Sequence, residues 1–129
     1  MKIVAKTDVG MVRESNQDSY TTGELPNGVA WAVVCDGMGG AAGGNVASST
    51  AVKVIAEQIT SSFRPGMSAN SIKNMMVSAI NAANISVYDI SCSNSELYGM
   101  GTTVVCAIVM EHIAYIAHAG DSRAYIVSH

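Results

Sequence analysis

Charged side chains are scarce in this sequence, 13% of 129 residues, and its seven Lys and Arg are scattered rather than clustered. With a formal net charge of −3, no basic face exists to neutralise phosphates, which argues against nucleic acid and anionic membrane surfaces as partners. Long hydrophobic runs are missing too: none approaches the roughly 18 residues of a bilayer-spanning helix. Residues 1–10 lack the apolar centre of a signal peptide, so a cytoplasmic address is the expectation. The only cysteines are Cys35, Cys92 and Cys106, an odd number without CxxC spacing, which points to neither a disulfide framework nor a zinc site. Cys35 and Cys106 lie within apolar runs and read as buried, reduced thiols. No repeat, linker or low-complexity tract divides the chain.

What the sequence does have is apolar residues, 49% of the total, ample for one domain with a buried core. Residues 2–6 predict a short strand, and residues 7–19 a polar segment too hydrophilic for a core element. Residues 29–35 (VAWAVVC) are apolar at every position, as in a strand covered on both faces or in a sandwich core. That run ends abruptly at Asp36. Residues 37–44 hold five glycines, so the backbone there can reach positive φ or approach a ligand closely.

Asn45 is the expected N-cap of a helix in which Val46, Ala47, Ala51, Val54, Ile55, Ile59 and Phe63 recur at helical spacing, with Pro65-Gly66 as its stop. A second helix, capped by Ser68 or Asn70, carries Ile72, Met75, Met76, Ala79, Ile80, Ala83, Val87 and Ile90 on one stripe and ends in the polar residues 91–95. Its methionines read as core packing. Residues 102–110, 113–119 and 123–127 predict three strands, joined by tight turns at Glu111-His112 and Gly120-Asp121. Strands, then two helices, then strands indicate an α+β layer architecture with mainly antiparallel strands. The chain stops directly after its last predicted strand, which points to an incomplete domain.

Three short segments carry chemistry. In Arg13-Glu-Ser-Asn-Gln-Asp18, a guanidinium five residues from a carboxylate suits a phosphate-binding fork beside a metal-binding group; a surface loop with an internal ion pair fits as well. Asp36 follows seven apolar residues, where burying a carboxylate is expensive unless it is paired or bound to a cation. A hard ion such as Mg²⁺ or Mn²⁺ takes oxygen ligands, which the Asp36 carboxylate and the Gly37 carbonyl offer side by side. Gly120-Asp-Ser-Arg123 puts another carboxylate at a strand end, although Gly-Asp is also ordinary hairpin chemistry.

Taken in order, RESNQD, DGMGG and GDSRAY, with Gly101-Thr-Thr103 opening the strand before the last, closely resemble the bacterial metal-dependent protein phosphatases, the PPM or protein phosphatase 2C-like family. The resemblance runs from about residue 6 to 127 and implies the N-terminal part of an α-β-β-α sandwich with two long antiparallel helices. It implies that Asp36 bridges two catalytic Mn²⁺ or Mg²⁺ ions, that the Gly37 carbonyl completes one coordination sphere, and that Asp18 holds metal-bound water. Arg13 would bind substrate phosphate, and Asp121 would serve a third, weaker metal position, with Ser122 and Arg123 structural. The implied reaction is hydrolysis of phosphoserine or phosphothreonine in proteins by a metal-activated water, without a phosphoenzyme and without use of Cys35. A Ser/Thr kinase is the implied functional counterpart.

The chain also departs from that pattern. Met38 stands where many eukaryotic relatives carry a histidine, and Gln17 where some carry glutamate. The family's later DG and DN motifs are absent; Asp89 reads as helix surface, and His112, His118 and His129 do not share metal-ligand spacing. Little or no activity is therefore expected of these 129 residues alone, with weakly held metal and self-association through uncovered sheet surface. Two other readings stay open at this level: a non-catalytic module binding phosphorylated partners, and a dinucleotide-binding module on the loose GxGxxA pattern of residues 37–42.

Overall fold

Local turn chemistry starts the fold. Pro26-Asn27-Gly28 joins two strands, with Asn27 and Gly28 at φ 67° and 72°, the left-handed conformation these residue types tolerate in hairpins. The computed structural model describes residues 18–39 and 43–120. The strands expected over 2–6 and 123–127 lie outside the described residues, as do Arg13, Asp121 and His129.

In chain order the elements are β1 (Asp18–Leu25), β2 (Val29–Met38), α1 (Gly43–Ser62), α2 (Ala69–Ser93), β3 (Gly101–Thr102), β4 (Val104–Met110) and β5 (Ile113–Ala119). The sheet runs β1-β2-β4-β5, every pair antiparallel, with β3 prolonging the β4 lane beside β2. Because side chains alternate across a strand, Val29, Trp31, Val33 and Cys35 of β2 and Val104, Cys106 and Ile108 of β4 share one buried face. Both helices cover that face, contributing Ala47, Ala51, Ile55 and Ile59 from α1 and Ile72, Met76, Ala79 and Ala83 from α2. The α+β class holds, and α2 follows α1 with no strand between them. Among the described residues that order leaves no βαβ unit for a dinucleotide fold.

Several expectations need correction. The polar segment expected through residue 19 gives up Asp18 and Ser19 to β1, which pairs in full with residues 29–36 of β2. A half-polar sequence (DSYTTGEL) becomes a strand because pairing with the apolar neighbour supplies its hydrogen bonds. β2 does not end at Asp36 but continues to Met38, held by β3. Its cover on the face away from the helices is uneven: Ala30 is buried and Ala32 half-buried, while Val34 is 49% exposed. α1 begins at Gly43, so Asn45 is not its cap but lies in the first turn, where its carbonyl accepts a 2.7 Å bond from Ser49 Oγ.

Ser68 is the cap of α2, its Oγ accepting the Ser71 N–H at 3.1 Å. Met75 and Met76 are buried core residues, and Asp89, His112 and His118 are exposed.

Gly23 lies across from Trp31, and a Cβ built there would stand 2.7 Å from three indole ring atoms. The glycine lets the indole lie flat on the backbone of the neighbouring strand. Gly23→Ala is expected to lower stability by roughly 1–3 kcal/mol through overpacking, read from urea unfolding midpoints; a midpoint equal to the parent's would contradict the contact.

Burial pushes the Cys35 thiol up to about 12, partly offset by a hydrogen bond with Thr102, and burial with the nearby Cys35 pushes Cys106 up to about 12. Cys92 is exposed. In the folded chain, therefore, a thiol reagent at pH 8 should label Cys92 alone, and all three only after denaturation. The unfolded chain releases both thiol protons near the ordinary value of 9.0, whereas the folded chain keeps them to about 12. Stability is then whole below pH 9 and falls as pH climbs toward 12. The thermal midpoint should drop over that window, and less steeply in Cys106→Ala.

Candidate functional site

Strand register, more than any loop, assembles the site. Asp18 of β1 is the direct partner of Asp36 of β2, so the two carboxylates stand on one sheet face, on neighbouring strands, at the end away from the hairpin turn. Both residues are half-buried. Like charges in directly opposed positions repel, and an oxygen-only pair of this kind is suited to a hard divalent cation.

The same row continues across the sheet. On the other side of Asp36, the Thr103 N–H donates to the Asp36 carbonyl at 2.9 Å and the Asp36 N–H donates to Thr103 Oγ1 at 3.3 Å. Beyond Thr103 comes Gly120, whose added Cβ would lie 3.0 Å from Thr103 Cγ2 and whose φ is +81°. Asp18, Asp36, Thr103 and Gly120 thus follow one another over four lanes, drawing one residue from each of the segments QD, DG, GTT and GD. Arg13 and Asp121 lie outside the described residues, so of the expected site residues Asp18, Asp36 and Gly37 are brought together here.

Gly37 is buried and faces Thr102. Facing pairs in an antiparallel ladder alternate between bonded and non-bonded. Since Asp36 bonds toward Thr103, the peptide groups of Gly37 turn to the opposite edge, the β1 side that carries Asp18. Its carbonyl is thereby on the carboxylates' side of β2. The glycines after it permit a tight departure: Gly39 has φ +148° and a Cβ there would lie 3.3 Å from Gly44 N and from Met100, while a Cβ at Gly43 would lie 3.3 Å from Met100 Cβ.

A second tie escaped sequence reasoning. Ser48, fully buried in α1, lies 2.9 Å from the Ser19 hydroxyl, linking the residue after Asp18 to the first turns of the helix. The serine in an otherwise apolar stripe was its only sequence signal. The contribution of Thr103 was equally hidden, because Gly101-Thr-Thr103 reads as the start of a strand until the register sets it opposite Asp36. Among the described residues no group of three or more His, Cys, Asp or Glu side chains converges on one point. The donors present fit a cation, but as two carboxylates and a carbonyl rather than a closed cage.

The protein phosphatase 2C family model matches residues 12–129. A putative protein phosphatase 2C-type protein of Streptococcus pyogenes is 35% identical over 128 residues, 98% of this chain and 50% of that protein. The solved serine/threonine phosphatase of S. agalactiae superposes with a TM-score of 0.80 at 31% identity, over 92% of this chain and 48% of its own. The catalytic domain of the phosphatase PstP, solved with two manganese ions, gives a TM-score of 0.70 at 25% identity, over 95% and 52%. The chain spans about half the length of the streptococcal and listerial relatives it matches and 23% of PstP of Mycobacterium tuberculosis. On this fold, this row of residues and these matches, the chain belongs to the protein phosphatase 2C family.

Proposed function

We propose that residues 1–129 form the N-terminal portion of a metal-dependent serine/threonine phosphatase catalytic domain, acting on phosphoserine and phosphothreonine in proteins. The observation that carries this reading is the facing of Asp18 and Asp36 in one register pair at the glycine-rich end of the sheet. It is supported by the two manganese ions of the PstP structure and by the serine/threonine specificity in the name of the S. agalactiae relative.

In this reading Asp36 and the Gly37 carbonyl hold Mn²⁺ or Mg²⁺, Asp18 orients water in the outer sphere, Arg13 binds the substrate phosphate, and Asp121 serves a further ion. When bound, two such ions acidify a water ligand and neutralise the phosphoryl oxygens. The chain's own residues fix where the ions and the phosphate sit, and such positioning alone supplies a large part of the barrier reduction. The sequence holds five aspartates, Asp8, Asp18, Asp36, Asp89 and Asp121. Asp89 is exposed on α2, so the further carboxylates that the family resemblance requires have no counterpart here. We therefore assign weak or no hydrolytic activity to the 129 residues alone, together with loosely held metal.

A Ser/Thr kinase is the natural counterpart of such an enzyme, the relatives the chain matches are bacterial, and a cytoplasmic address belongs to this proposal. No helix among the described residues is long and apolar enough to cross a membrane. The half-covered sheet face bearing Val34, Val105, Ala107 and Ile116 supports self-association.

Mn²⁺ titration of the purified chain by calorimetry is expected to show weak binding that Asp36→Asn reduces by more than roughly tenfold, since loss of even outer-shell partners has effects of that size. Hydrolysis of p-nitrophenyl phosphate should stay close to the metal-only blank. Robust Mn²⁺-dependent turnover by this chain would sink the incomplete-site reading, and Mn²⁺ binding indifferent to Asp36→Asn would sink the metal assignment.

A further inference from the structure

The rung of the sheet that carries Asp36 is bonded differently from its neighbours. β2 keeps one register along the whole β3–β4 lane: Val34 faces Val105 and Gly37 faces Thr102, which puts Thr103 opposite Asp36. Yet Thr103 belongs to neither β3 nor β4. In a regular bonded rung the two residues exchange main-chain hydrogen bonds. Here the Thr103 N–H donates to the Asp36 carbonyl at 2.9 Å, but the return bond from the Asp36 N–H goes to the Thr103 side chain, Oγ1, at 3.3 Å. The Thr103 carbonyl is taken up instead by the Thr102 hydroxyl at 2.9 Å. That hydroxyl is also 3.2 Å from the Asp36 carbonyl oxygen, and Thr103 Oγ1 is 3.4 Å from it.

Both polar main-chain groups of Asp36 are thus engaged by two threonines. Thr103 is one of three buried polar side chains among the described residues, 6% exposed, and its two γ substituents do separate jobs. Oγ1 holds the Asp36 peptide. Cγ2 lies against Gly120, where a Cβ would be 3.0 Å away, and so fixes Gly120 at the end of β5.

We propose that Thr103 is a positioning residue of the site: its hydroxyl sets the orientation of the Asp36–Gly37 peptide, and its methyl sets the place of the Gly120 turn. One buried side chain thereby keys two motif segments to each other. The function served, cation binding at Asp36 and Gly37, rests on the metal-site reading above; the clasp itself does not.

Threonine separates cleanly into its two halves by substitution. Thr103→Val keeps the branched shape and removes the hydroxyl, whereas Thr103→Ser keeps the hydroxyl and removes the methyl. Amide hydrogen exchange of the 129-residue chain, followed by NMR, reads the clasp directly. In Thr103→Val the Asp36 amide is expected to exchange roughly tenfold faster, the scale of one net hydrogen bond, with the protection of α1 and α2 amides unchanged. In Thr103→Ser the Asp36 amide should keep the parent's rate while Gly120 exchanges faster.

An unchanged Asp36 rate in the valine variant overturns the proposal. If the valine variant does not fold, the serine variant decides: loss of Asp36 protection with the hydroxyl still present overturns the proposal, and parent-like protection upholds it. Mn²⁺ titration of the same proteins then tests the service to the metal. Parent-like affinity in the serine variant with roughly tenfold weaker binding in the valine variant is the expected result on the same scale. Equal weakening in both would assign Thr103 to packing alone. Failure of the parent chain to bind Mn²⁺ would remove the metal reading and leave the clasp to be judged on exchange.

Discussion

The register of β2 is the constraint on which the rest depends. Side chains alternate with a period of two, so a slip of one residue against either neighbour would send Asp36 to the helix-covered face and Cys35 to the other. Two features hold the register. The Asn27-Gly28 turn fixes β1 against β2 from one end, and the buried set of Val29, Trp31, Val33 and Cys35 fixes β2 under the helices. With the β2–β4 and β4–β5 pairings added, Asp18, Asp36, Thr103 and Gly120 fall into one row. Among the described residues, the candidate row is a product of correct strand pairing.

The helices contribute weight and one directional tie. Their apolar stripes bury the inner sheet face, and α1 packs on β1 as well as β2. Ser48 reaches Ser19 from the first turns of α1, so the helix that follows the glycine segment is joined to the strand carrying Asp18 by a polar contact in an otherwise apolar layer. A buried hydroxyl pair is favourable only when its partners are in place, which makes this contact specific to one docking of α1. Sheet register fixes the row across strands; the serine pair fixes the row relative to the helix.

How much of this was readable in advance follows from which interactions are local. α2, with its Ser68 cap and its stripe from Ile72 to Ile90, and the β4–β5 hairpin with its Glu111-His112 turn are encoded by neighbours in sequence, and the structure reproduces them. β1 was missed because DSYTTGEL has no strong pattern of its own and becomes a strand only through β2. The start of α1 was misplaced because Gly43 and Gly44 carry little helical preference, yet both are buried, and Gly43 lies close against Met100. For the candidate site, Asp36 and Gly37 stand out by residue type, a carboxylate and a glycine at the end of an apolar run. Nothing local announced that Asp18 would face Asp36, or that Thr103 would replace a main-chain acceptor with its side chain, since both depend on pairings between residues 18 and 67 positions apart.

The position of Asp18 and Asp36 within the β1–β2 hairpin has a kinetic meaning. Hairpins close from their turn outward, on the timescale of microseconds, and this one zips from Leu25 and Val29 toward Asp18 and Asp36. Among the described residues the two acids are therefore the last of eight rungs to close. The strand lane that meets Asp36 from the other side comes from residues more than sixty positions later and arrives by a much longer loop closure. The end of the sheet where the carboxylates stand is thus flanked on its second side only once the β3–β4 lane has paired with β2, a closure that serves the whole length of that lane.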